Sequence, residues 1–343
     1  MTTPSVYLRS IGTALPGPPV DNAALAARFG LNRLWEQWVD TFVGTKARHL
    51  AVDLATGEVR YRLADLAETA GRRALANAGL TAADVDLVVM GTAMPDALMP
   101  ATVNVVADRL GIDQVPAYQL QSGCTGAFQA LDVAHQMLLT GRHHTALVLG
   151  GDVCAKHFDM TRNPADLPPG EQVNGVLFGD GAGAVVLSSR AAPGAARVRH
   201  VFVRLTGLGR APGQTLEWYG MAERDSPKPP AVEDYKAIEE SVPRMAAEIL
   251  DEVLDELGWK RADLDFVLPP QLSGRMTARI AEVLGVPDAV EVSCVAETGN
   301  NGNALPFLQL ERALPQLSYG DRAVAIAVES SKWIKAGLAL EVV

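Results

Sequence analysis

The sequence predicts an α/β protein made of two similar halves, and three observations support this. Short, nearly continuous apolar runs, "DLVVM", "TALVLGG", "GAVVLS", "DFVLP" and "AVAIAV", read as strands covered on both faces. Segments with apolar residues at helical spacing alternate with them. The pattern also occurs twice: "RRALANAGLTAADVDLVVMGTA" (72–93) is echoed by "LDEVLDELGWKRADLDFVLPPQL" (250–272), each running helix, turn, acidic segment, strand.

The echo continues downstream. Residues 108–152 and 283–330 both run strand, Gly-rich turn, helix, turn with Gly, strand. If the halves pack about a pseudo-twofold axis, their Gly-rich turns face each other, which sets Cys124 of "SGCTG" opposite Asn300 of "TGNNG". The boundary is expected in the Pro/Gly/Ala-rich stretch at 191–196, giving halves of 1–190 and 191–343. A long irregular stretch, 207–235, fits a pocket cover and a surface excursion equally.

At 343 residues and 48% hydrophobic, the chain can bury one large core or two smaller ones. "MTTPSVYLRS" has no basic segment followed by an apolar core, and no apolar run approaches the roughly 20 residues that cross a bilayer, so a cytoplasmic location is expected. Cys124, Cys154 and Cys294 lie far apart without metal-ligand spacing, which suits a reducing compartment; neither metal nor cofactor is expected. A net charge of −10 with no Lys/Arg run argues against nucleic acid. Small molecules or proteins are the expected partners.

Free cysteine is commonly buried, and Cys154 and Cys294 read as core filling. Cys124 differs in its setting. Its flanking glycines permit a sharp turn, and "CTGAFQALDVAHQMLL" has helical spacing. A thiol at a helix start meets unpaired N–H groups and the positive end of the helix dipole, which favour thiolate. The same amides suit a developing oxyanion, so acyl transfer through a thioester is the chemistry implied, with a small buried residue as the alternative. "FGDGAGA" lacks the Lys-Ser/Thr ending of a phosphate loop and precedes a strand; Asp180 there is expected to satisfy nearby N–H groups.

The elbow at Cys124, "NGVLFGDGAGAVVLS" (174–188), the "GN" turn at 299–300 and the duplication together resemble the β-ketoacyl synthase III branch of the thiolase superfamily. "AMPDALMPAT" (93–102) and "WVDTFVGTKARHLA" (38–51) fall in the family's order. The resemblance implies a duplicated five-layered αβαβα thiolase fold, usually a homodimer, with Cys124 as the acyl-accepting nucleophile and Asn300 as the site asparagine. It further implies Trp38 as an adenine-stacking residue, with a core aromatic equally open. Met99 would reach into the partner's pocket, and Arg275 would dock an acyl carrier protein.

Three departures stand out. The family's Pro-His-Gln histidine is replaced by Pro270 or, with a one-residue slip, Gln271. Gln271 can donate a hydrogen bond but cannot act as a base. Among six histidines, His135 lies roughly 16 Å along the helix from Cys124, and only His157 falls in a neighbourhood that approaches the site. Phe42 stands where the family has a phosphate-binding arginine, which weakens recognition of free coenzyme A. The family's final glycine cluster reads "VESSKWIKAG" (328–337), where Ser330, Ser331 and Lys332 add side chains beside the acyl pocket.

The expected function is acyl transfer from a carrier-protein or coenzyme A thioester through Cys124 to a hydroxyl, amine or activated carbon of a specialised metabolite of polyketide or fatty-acid type. The alternatives are a carbon–carbon condensing synthase and a non-catalytic subunit of a heterodimer.

Overall fold

The computed structural model describes residues 5–343 apart from 158–162, 164–165, 167–168, 219, 224 and 228–230. The first half contributes β1 (Val6–Ala14), β2 (Leu87–Thr92), β3 (Ala117–Gln121), β4 (Thr145–Asp152) and β5 (Gly181–Ser188). The second contributes β6 (Ala196–Leu205), β7 (Phe266–Leu268), β8 (Val290–Glu291), β9 (Arg322–Glu329) and β10 (Ile334–Val342). Across the sheet the order is β3-β2-β4-β5-β1, continuing β6-β10-β9-β7-β8. Each half therefore repeats the other's strand order, mirrored across a seam where β1 and β6 pair antiparallel at Val6↔Val198, Tyr7↔Arg197 and Leu8↔Ala196.

Six helices make the remaining layers: α1 (Leu63–Asn77), α2 (Thr102–Leu110), α3 (Gly126–Leu139), α4 (Tyr235–Leu257), α5 (Gly274–Leu284) and α6 (Leu305–Ala313). Buried residues of α1 and α2 pack on the first half-sheet, those of α4 and α5 on the second, and α3 and α6 lie between the two. The result is the five-layered α/β thiolase fold.

The strand sequences explain the layering. Along β9, Ala323, Ala325 and Ala327 face the central helices, while Val324, Ile326 and Val328 face α4 and α5. Side chains alternate between faces, so an unbroken apolar run serves two cores at once, with small residues where helices from both halves crowd together. β1, β6 and β10 stand out less in the sequence, because Arg9 and Ser10, Arg197, Arg199 and His200, and Lys335 interrupt their apolar runs. Among the described residues, no helix is long and apolar enough to cross a membrane.

Candidate active site

The elbow is built on a close approach. A Cβ at Gly91 of β2 would lie 2.1 Å from the Gly126 carbonyl oxygen, so the first turn of α3 sits directly on the sheet. The chain leaves β3, turns through residues 122–125 and enters α3 with Cys124 half-buried and free at the turn. Ser122 Oγ and Thr125 Oγ1 donate to Glu329 Oε2 at 2.7 and 2.6 Å, and the Thr125 amide donates to the same oxygen at 3.2 Å. Gln129 Nε2 donates to Ser122 Oγ at 2.6 Å and Thr125 Oγ1 at 3.2 Å. Ser331 Oγ donates to Glu329 Oε1 from the other side.

This geometry corrects the expectation of an acidified thiol. Burial, then the carboxylates of Glu329 and Asp152, push the Cys124 thiol up to about 12. The helix-start amides are also engaged: Thr125 N–H with Glu329, Gly126 N–H with the Gly123 carbonyl at 2.9 Å, and Ala127 N–H with Asn303 Oδ1 at 2.8 Å.

Asn303 hydrogen-bonds the elbow directly, three residues after Asn300. Cys124 precedes α3 by the same two positions by which Asn303 precedes α6. Asn303 Nδ2 donates to the Ser122 carbonyl at 3.2 Å and to Asp152 Oδ2 at 2.9 Å, which fixes its amide so that Oδ1 meets Ala127. Asp152, at the end of β4, takes further hydrogen bonds from Thr92 Oγ1, Ala93 N and Asn303 N at 3.0, 2.7 and 2.8 Å. Gly302 turns with φ 54, and a Cβ there would strike Asp152 Oδ2 at 2.2 Å. Asn300 is buried two residues earlier; its N–H donates to the Leu177 carbonyl at 2.9 Å and its Oδ1 accepts from Gly302 N at 3.1 Å.

Gln271 is committed elsewhere. Its Oε1 accepts from Cys294 N and Val295 N at 2.9 and 2.8 Å, and its Nε2 donates to the Val292 carbonyl at 3.0 Å. The side chain caps the short helix Val295–Thr298, with its oxygen and one of its two N–H groups spent on backbone partners. His157 ends the turn Ala155–His157 with an exposed side chain.

The remaining candidates lie further out. Trp38 ends the helix Arg33–Trp38 and packs partly buried against a cluster containing Val39, Val43 and Leu177. Phe42 is 56% exposed, and the Arg275 guanidinium lies 6.0 Å from its ring centroid. Arg275 itself is exposed at the start of α5. Met99 is 87% exposed beside exposed Leu98.

The loop that replaces the glycine cluster anchors the irregular stretch after β6. Gly213 N donates to the Ser330 carbonyl at 2.9 Å, Lys332 Nζ to the Arg210 carbonyl at 2.6 Å, and Trp333 Nε1 to the Ala211 carbonyl at 2.7 Å. A hairpin of Gln214–Leu216 with Ala231–Glu233 follows; residues 219, 224 and 228–230 of the predicted cover lie outside the described residues. Sequence reasoning passed over Glu329 and Asn303. Their signals were a lone carboxylate at the end of the apolar run "AVAIAVES" and a third asparagine in "GNNGN".

Asp180 behaves as its motif suggested. It accepts from Ala51 N and Cys154 N at 2.6 Å and Ala155 N at 3.0 Å, yet burial outweighs these bonds and raises its pKa to about 6. A raised carboxyl pKa stabilises the fold fully below the unfolded value of 3.8, and that stabilisation is lost as pH rises through about 6. Asp180→Asn has no charge to bury. Its stability relative to wild type should therefore improve by about 2 kcal/mol between about pH 4 and about pH 7, checked by urea unfolding of both proteins at each pH. A pH-independent difference would contradict this.

A cysteine on a strand-to-helix elbow, faced by an asparagine across a duplicated five-layer fold, defines a thiolase-type site. Matches to known proteins agree. Residues 118–204 match the family of 3-oxoacyl-[acyl-carrier-protein (ACP)] synthase III, and 254–330 match its C-terminal part. The β-ketoacyl-[acyl-carrier-protein] synthase III of Neisseria meningitidis is 31% identical over 308 residues, 88% of each chain. Among solved structures, AbyA1, a tetronic acid condensing enzyme, is 64% identical with a TM-score of 0.96 over 98% of this chain and 99% of its own. The 3-oxoacyl-(acyl carrier protein) synthase III of Pseudomonas aeruginosa is 28% identical with a TM-score of 0.84 over 98% of both chains. This chain belongs to the β-ketoacyl-[acyl-carrier-protein] synthase III family, whose members are acyl-group-transferring enzymes.

Proposed function

We propose that the protein is a Cys124-dependent condensing enzyme that assembles a tetronic-acid-type ring in polyketide metabolism. The observation that carries this is its 64% identity, over 98% of the chain, to a tetronic acid condensing enzyme. The absence of the family's histidine supports it, because a synthase that decarboxylates a malonyl unit needs that proton-handling group and an already acidic carbon does not.

The chemistry of the ring sets the steps. A tetronic acid is a five-membered enolic lactone, so its formation from thioesters takes one carbon–carbon and one carbon–oxygen bond. Cys124 Sγ attacks a 2-hydroxyacyl thioester, and the carrier thiol leaves with the cysteine's proton. The α-carbon of a 3-oxoacyl thioester then attacks the acyl-enzyme and loses its own proton, and Cys124 is regenerated as the thiol. Finally the 2-hydroxyl closes on the second thioester and expels the second carrier thiol. Acyl transfer through Cys124, the expectation from sequence, is here the first part of a condensation.

In this proposal residues 1–190 carry the nucleophile and 191–343 carry Asn303 and Asn300. Gln271 shapes the wall without touching substrate, Ser331 steadies Glu329, and Trp38 is a packing aromatic. Exposed Arg275, with Arg279 one turn on, forms a basic face for an acidic carrier protein, and exposed Met99 meets a second subunit.

Intact-mass measurement tests the proposal. Wild type mixed with a 2-hydroxyacyl thioester should gain the acyl mass, and Cys124→Ala should gain none. Labelled malonyl thioester should release no carbon dioxide above background. Substantial release, or equal mass gain in Cys124→Ala, overturns it.

A further inference from the structure

Glu329 is 4% exposed and takes four hydrogen bonds, three of them from residues flanking Cys124. A carboxylate only accepts, so the hydroxyls of Ser122 and Thr125 must both point their protons at it, and Gln129 feeds those hydroxyls from behind. A Cβ at Gly123 would stand 3.1 Å from the Glu329 Cδ, so the carboxylate lies against the nucleophile's own turn. Among the described residues no Lys, Arg or His forms an ion pair with Glu329, which leaves its charge balanced by neutral donors alone. The strand that supplies it belongs to the second half and the elbow to the first.

We propose that Glu329 is a positioning residue for Cys124: it clamps the elbow to the second half and sets its carboxylate against the nucleophile's own turn, so that the resting nucleophile is a thiol. This rests on the assignment of Cys124 as the acyl carrier. Asp152 from the end of β4 and Glu233 from the hairpin add like charge toward the same sulfur. On the turn after β4, Cys154 is buried, and Lys156 directs its ammonium to the carbonyls of Met94 and Pro95 at 3.2 and 2.8 Å. The upward displacement of the Cys124 thiol, in which Glu329 follows burial as a cause, agrees with the arrangement. A protonated sulfur resists oxidation and stray alkylation while the site waits for its donor.

The test is the pH profile of iodoacetamide alkylation at Cys124, read by intact mass against a Cys124→Ala control. In wild type the midpoint should lie above the ordinary thiol value of 9.0. Glu329→Gln keeps the shape and removes the charge, so alkylation at neutral pH should speed up about tenfold for each unit by which the midpoint falls, with one unit expected. Glu329→Asp retains the charge and should remain slow. A folded Glu329→Gln that alkylates no faster than wild type overturns the proposal; if that variant does not fold, a wild-type midpoint at or below the ordinary value does so. Acyl loading of the wild type is scored separately: its failure would remove Cys124 as acyl carrier, whereas the alkylation profile alone decides the role of Glu329.

Discussion

Replacing Gly91 by alanine is expected to abolish acyl loading and to destabilise the protein by about 3 kcal/mol, at the upper end of overpacking costs. The added methyl would sit 2.1 Å from the Gly126 carbonyl oxygen and 2.8 Å from the Ala127 nitrogen. Both are backbone atoms of the first turn of α3, so no flexible side chain can give way. The helix must lift, and it carries Cys124 with it. It would also pull Ala127 away from Asn303 Oδ1, a contact of 2.8 Å. Urea unfolding measures the first effect and intact mass the second. A variant with wild-type stability and loading would show that α3 does not need this seat.

Trp333→Ala should cost about 3–5 kcal/mol, the range for emptying a buried aromatic site. Trp333 is among the largest fully buried side chains, and its Nε1 donates to the Ala211 carbonyl at 2.7 Å. Arg210 lies 3.8 Å over its ring. The Trp333 carbonyl accepts from Thr206 N at 2.9 Å. Truncation therefore removes a core aromatic and releases the stretch after β6 as well. Trp333→Phe retains most of the packing and loses the N–H bond, which should cost about 1 kcal/mol plus the smaller ring's lost contacts. Thermal unfolding gives the ranking, and limited proteolysis within 206–213 should be faster in the alanine variant. Unchanged proteolysis would mean that the stretch is held by something other than Trp333.

The fold was legible because its strands are buried on both faces. Runs such as "AVAIAV" leave no polar alternation to mislead, and the repeat fixes which elements correspond. The elbow was legible for a related reason: a cysteine between glycines at a strand-to-helix change has few structural explanations. The polar neighbours were not. Asn300 and Asn303 both occur in "GNNGN", and only the backbone path decides which one reaches Ser122. Glu329 is more than 200 residues from the elbow it holds, a separation that no local pattern reports. The sign of the electrostatic effect on Cys124 was missed for the same reason. The helix start is visible in sequence, whereas the carboxylates that oppose it arrive from β4 and β9.

The meeting of Glu329 with Ser122 and Thr125 also sets an order of events during synthesis. A ribosome that has made only the first half has produced the sulfur without the partners that shape it. The nascent chain therefore carries an ordinary thiol until the last strands emerge and dock. Acyl transfer is withheld from the unfinished polypeptide, which lacks the second half of the site, but its ordinary thiol is open to alkylation. A translation product truncated before β9 should be alkylated more readily than the folded protein and load no acyl group, however well its early strands have paired.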